Sequence, residues 1–149
     1  MRRLLVAAAT ALALSVPASV AVIGTSAPAW AASTVTCAKM SGTISGSITI
    51  TKCTPKSKTN VSASAPASAL TSGGSLTWTT SGGTTTVTMT VTNAGQGGCK
   101  SGYTEYDANG HVTGGTSTYT HVGDVSSTRA CVSTAKNKIT LVKGSKVLL

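Results

Sequence analysis

Between residues 75 and 92 the chain reads SLTWTTSGGTTTVTMTVT, with apolar and polar positions alternating on either side of two glycines. Strict alternation is the mark of a half-buried strand, and Gly82-Gly83 suits a two-residue primed turn, so the stretch predicts a β-hairpin. Folded there, it sets Leu76 opposite Met89, Trp78 opposite Val87 and Thr80 opposite Thr85 on one face. The other face pairs Ser75 with Thr90, Thr77 with Thr88 and Thr79 with Thr86, a lattice of hydroxyls. Leu76, Trp78, Val87 and Met89 are the expected core positions.

The same period recurs along the chain. In residues 42–52 (GTISGSITITK), Ile44, Ile48 and Ile50 share a parity, and Gly46 between them marks a bulge or a close backbone contact. Cys53 has the opposite parity and belongs at the strand end or after a kink. Residues 32–36 read as a lead-in, and 54–66, with two prolines, as a connection or irregular edge strand. Residues 67–70 fit one short helical turn. Residues 103–108 and 111–119 flank Asn109-Gly110, the strongest short hairpin signal in the chain. Further strands are predicted over 126–132, 138–142 and, after a Lys143-Gly144-Ser145 turn, 146–149. About seven to nine strands without an amphipathic helix define an all-β fold. An antiparallel, immunoglobulin-like β-sandwich is the first expectation and a small closed β-barrel the second.

The first 31 residues stand apart from this pattern. Met1-Arg2-Arg3 precedes an uncharged apolar run from Leu4 to Ile23, and Ala29-Trp30-Ala31 offers a small-x-small cleavage site. These are the parts of a signal peptide. A run of about 20 apolar residues is also long enough to span a bilayer, but Pro17, the alanine-rich composition and the cleavage site favour removal. Residues 32–149 then form a single exported β-domain, with no membrane insertion expected once the signal is cleaved. Without Arg2 and Arg3, ten of the twelve basic residues remain against three acids. That balance would suit anionic partners, such as a cell-wall polymer or acidic carbohydrate, but the lysines are scattered, and keeping an exported domain soluble is the preferred reading of them. Export argues against nucleic acid.

Four cysteines, Cys37, Cys53, Cys99 and Cys131, agree with an oxidising compartment and two disulfides. Of three possible connectivities, Cys37–Cys53 and Cys99–Cys131 is preferred, because each pair brackets one region rich in strand and turn signals. No C-x-x-C occurs, and His111 and His121 are not at finger spacing, so no metal site is expected.

Catalytic candidates are few. Glu105, Asp107, His111 and His121 lie around Asn109-Gly110. A two-residue turn there would put the carboxylates on one face and His111 on the other, which prevents a carboxylate–imidazole site. No G-x-S-x-G elbow or phosphate-binding P-loop occurs. No catalytic residue and no cofactor is therefore expected, and the protein reads as a non-enzyme. Tyr103, Tyr106 and Tyr119, with His111 and His121, remain as candidate ligand-contacting residues. The threonine lattice could present regular hydroxyls to a repeating surface, although threonine also simply suits exposed strands.

Cys37, SGTISG at residues 41–46, Lys52-Cys53-Thr54-Pro55, GSLTW at 74–78, Cys99, Glu105-Tyr106, Cys131 and ITLVKG at 139–144 carry a resemblance across nearly the whole exported part. The chain resembles small secreted β-rich proteins of actinobacteria that carry no assigned function, and this resemblance implies no catalytic residues. In composition it is also similar to the chromoprotein-antibiotic carriers, which are exported sandwiches with two disulfides. Those carriers are acidic and their cysteines are more closely spaced. The leading expectation is a non-catalytic, secreted or cell-envelope-associated β-domain that binds an anionic or carbohydrate surface. The alternatives are a small-ligand carrier or hydrolase with a loop-lined pocket, and a structural or adhesive module.

Overall fold

The computed structural model describes residues 35–55 and 60–149; the segment read from sequence as a signal peptide lies outside them. Nine strands follow in order: β1 (Val35–Gly42), β2 (Ser47–Pro55), β3 (Val61–Pro66), β4 (Gly74–Trp78), β5 (Thr84–Asn93), β6 (Thr104–Gly115), β7 (Val125–Ser133), β8 (Lys138–Leu141) and β9 (Val147–Leu148). A one-turn helix, α1 (Ala69–Ser72), separates β3 from β4. Each strand from β2 to β8 pairs antiparallel with the next, and β1 pairs with both β2 and β8. The result is a closed eight-stranded barrel. β9 continues the eighth position, pairing with β1 at Thr36 and Cys37 and with β7 at Ser127.

This corrects the sandwich expectation in favour of the barrel. Alternation along each strand is the same in both architectures, since either buries one face of every strand. The difference lies in the closing contact, where Ser41 and Gly42 meet Thr140 and Ile139. Reciprocal bonds between Val35 and Leu149, at 2.8 and 3.0 Å, extend the seam. A tight barrel also needs small interior residues, and Ala63, Ala65, Ala67, Ala108 and Ala130 are all buried among the larger aliphatics.

Two predicted turns are corrected. In the central hairpin, Ser75 pairs with Thr86 and Leu76 with Thr85, a shift of four residues from the two-glycine register. An even shift preserves the faces, so Leu76, Trp78, Val87 and Met89 still point inward and are buried. Thr80 and Ser81 adopt positive φ and carry the turn. Gly82 instead allows close packing, because a Cβ there would overlap the Tyr119 ring. The second correction is Asn109-Gly110, which forms no turn. β6 runs straight through it with negative φ, and Gly110 pairs with Met89 and Ser126. A Cβ at Gly110 would strike the Thr88 carbonyl of the neighbouring strand. Glycine there admits close backbone approach, a role that reads like a turn in sequence.

Near the amino-terminal end of the domain, the strand predicted over residues 42–52 is instead the β1–β2 turn followed by β2, and β1 begins at Val35, the end of the predicted lead-in, and runs on to Gly42. Ile44 sits in that turn. Lys52 takes φ 56° at a register shift between Ile50 and Cys53. This bulge returns Cys53 to the inward face, where it forms a disulfide with Cys37, directly opposite in the ladder. β3 lies inside the sheet between β2 and β4, correcting the edge-strand reading.

The buried Trp78 should dominate stability at its end of the barrel. Trp78→Ala is expected to cost about 3–5 kcal/mol, measured by denaturant unfolding; an unchanged midpoint and slope would contradict its core placement.

Candidate functional site: the open end of the barrel

The two ends of the barrel differ. At one end the rings of Trp78 and Tyr119 meet edge to face, with centroids 5.3 Å apart and planes at 88°. Trp78 Nε1 donates to Thr85 Oγ1 at 2.7 Å, and Thr85 Oγ1 lies 2.7 Å from Thr120 Oγ1. All four residues are buried, so this end is sealed and its polar atoms are paired.

The other end opens into a cavity of about 480 Å³, a volume typical of small-molecule sites. Val91, Tyr106, Ala130, Val132 and Ile139 form its wall. Ile44 stands at the rim from the β1–β2 turn, 37% exposed, and Leu70 projects from α1. Asn137 fixes the Ile44 turn: its Oδ1 accepts from the backbone N–H of Ile44 at 3.0 Å and of Ser45 at 3.2 Å. The polar lining groups are the Tyr106 phenol and the hydroxyls of Ser68, Thr71 and Thr134; no charged side chain lines the cavity. Such a lining favours an uncharged, mostly apolar occupant.

The glycine-rich loop after β5 leaves this mouth uncovered. Cys99 forms a disulfide with Cys131 on the outward face of β7. Glu105, on the outward face of β6 and 1% exposed, accepts from the Gly98 N–H through Oε2 and from Arg129 Nε through Oε1 at 2.7 Å. A Cβ at Gly97 would collide with the same carboxylate, so the loop glycines let the backbone pack over Glu105. The disulfide, Val142 and Tyr103 form a small apolar cluster on that outer wall. The loop is thus folded down the outside of the barrel. The Gly98 N–H, with help from the Arg129 guanidinium, holds the Glu105 carboxyl below the usual carboxylate range, although burial opposes the shift.

The structure scatters the residues singled out in the sequence. Tyr106 lines the cavity, whereas Tyr119 seals the opposite end and Tyr103 lies outside, with Lys136 Nζ 5.4 Å from its ring centroid. The straight β6 places Glu105, Asp107 and His111 on one outward face, which corrects the predicted separation of the carboxylates from His111 by face. They remain apart along the strand, with Asp107 and His111 about 13 Å distant from strand rise alone. His121 is mostly exposed; its Nδ1 lies 3.7 Å from Asp124 Oδ2, which also accepts from the His121 N–H at 2.8 Å. Among the described residues no three His, Cys, Asp or Glu side chains gather as a metal site.

Sequence reasoning missed Arg129, Asp124 and the cavity wall. The His-x-x-Asp spacing at 121–124 was a visible turn signal. The wall residues were legible only as ordinary core positions. The chain matches no protein-family model, no curated protein and no solved structure.

Because the folded-state pKa of Glu105 lies below its unfolded value, its contribution is complete above about pH 4.3 and is lost as pH falls through the folded value. Thermal melts across that acidic range should show the wild type losing stability. Glu105→Gln should melt lower at neutral pH and show a shallower acid slope; parallel curves would remove Glu105 from this role.

Proposed function

We propose that the protein is an exported, non-catalytic binding protein that takes one uncharged, apolar small molecule into the open end of the barrel. The observation that carries this reading is the apolar cavity of about 480 Å³, beside which the nearest long loop is tethered away on the outer wall. An eight-stranded barrel has room for a packed interior or for one small ligand. Here the same barrel is packed at one end and hollow at the other. The charged start and apolar run of residues 1–23, the two disulfides and the resemblance to secreted actinobacterial proteins support export. Among the described residues no helix is long and apolar enough to cross a membrane. A non-catalytic role is favoured because Glu105, Asp107, Asp124, His111 and His121 all lie outside the cavity lining.

The neutral fluorophore N-phenyl-1-naphthylamine should bind saturably with enhanced emission. Val132→Trp, which fills the mouth, should abolish that enhancement without lowering the melting temperature. No enhancement with the wild type, or undiminished binding by a folded Val132→Trp variant, would refute the reading.

A second reading is binding to an anionic cell-envelope polymer. It is favoured by the engagement of Glu105 and Asp107 with Arg129 and of Asp124 with His121, which leaves lysines to set the surface potential. Lys39 and Lys143 line a groove of about 280 Å³ beside the seam, with Ser41, Thr140 and Ser145. Retention on purified cell-wall fractions should fall steeply with salt and weaken further in a Lys39→Gln, Lys143→Gln double variant. Failure to bind even at low salt would exclude it.

A further inference from the structure

Below the mouth the barrel contains a second, deeper void of about 20 Å³. Leu70 of α1 is the one residue that belongs to the walls of both. The deep wall is almost entirely aliphatic, with Ile48, Ile50, Leu76 and Val87. Three hydroxyl-bearing residues of β7, Ser126, Ser127 and Thr128, break that pattern, and the first and last of them face inward. Thr128 is 3% exposed and its Oγ1 makes no hydrogen bond. Ser126 is 1% exposed, and its Oγ donates to Met89 Sδ at 3.4 Å, a weak acceptor. Both positions are on the inward face of β7, in register with Ala108 and Gly110 of β6.

A buried hydroxyl without a partner opposes folding, and valine or alanine would fill these sites at no such cost. We propose that Ser126 and Thr128 read the head group of the ligand. The ligand is then an elongated apolar molecule with one neutral hydrogen-bonding head, such as an alcohol, ketone or carboxamide. The head enters first and displaces Leu70, and the apolar tail remains in the mouth against Val91, Val132 and Ile139. A charged head is disfavoured because neither cavity presents a charged side chain. α1 is suited to yield: it is a single turn, ends at Gly73 with φ 82°, and has no side-chain cap at its start. This inference rests on the proposed binding role of the mouth and adds to it the chemistry of the ligand and the way it enters.

Displacement of N-phenyl-1-naphthylamine by octan-1-ol and by n-butylbenzene, ligands of similar size with and without a head group, separates the two ideas. Thr128→Val should weaken octan-1-ol by about 5-fold, the scale of one hydrogen bond, and leave n-butylbenzene unchanged. The same variant should melt no lower than wild type, because the hydroxyl it removes is unpaired. Leu70→Ala should strengthen octan-1-ol relative to n-butylbenzene by removing the plug. If the fluorophore binds the wild type but Thr128→Val treats both ligands as the wild type does, the head-group assignment is wrong and the mouth reading stands. If the fluorophore does not bind the wild type, the binding role itself fails.

Discussion

Everything in this fold depends on the closure of one sheet upon itself. The meander from β2 to β8 is a run of neighbouring strands, each adjacent in sequence to its partner. Left open, it would expose two rows of unpaired backbone groups. β1 supplies the missing partner by pairing with β2 on one side and with β8 and β9 on the other. The seam is short and divided, since β8 meets only Ser41 and Gly42 while β9 meets Thr36 and Cys37. The Cys37–Cys53 disulfide ties β1 to β2 directly beside the β9 contact.

Closure gives the barrel two ends, and the chain treats them differently. Aromatic bulk and paired hydroxyls fill one, where Trp78, Tyr119, Thr85 and Thr120 converge. At the other, small or half-buried aliphatics leave a hollow, and the flanking loop is fastened outside by Cys99, Gly98 and Glu105. A buried carboxylate is expensive unless its oxygens are satisfied. Glu105 meets that condition with one backbone donor and one guanidinium. The same contacts that satisfy it determine where the glycine-rich loop lies.

The all-β class and the inward set Leu76, Trp78, Val87 and Met89 were legible in the sequence because alternation depends only on which face is buried. Barrel and sandwich share that alternation, so their choice rested on the seam, a contact between segments far apart in sequence. Asn109-Gly110 was misleading for a related reason. A glycine needed for positive φ and a glycine needed for close approach look identical in one dimension, and only the Thr88 carbonyl distinguishes them. The hollow was illegible because Val91, Val132 and Ile139 read as core wherever they sit. Thr128 was hidden among many serines and threonines that face solvent.

The pairing of Val35 with Leu149 also bears on how the molecule assembles. The hairpins from β2 to β8 join neighbouring segments, whereas the seam joins residues roughly a hundred positions apart. Loop-closure entropy and contact order both place such a contact late in folding. Until it forms, the chain is an open ribbon with two reactive edges, able to pair with another copy as readily as with itself. Val147 and Leu149, both buried in the core, therefore act with the β8 contact as a latch that turns an exchange-prone strip into a closed barrel.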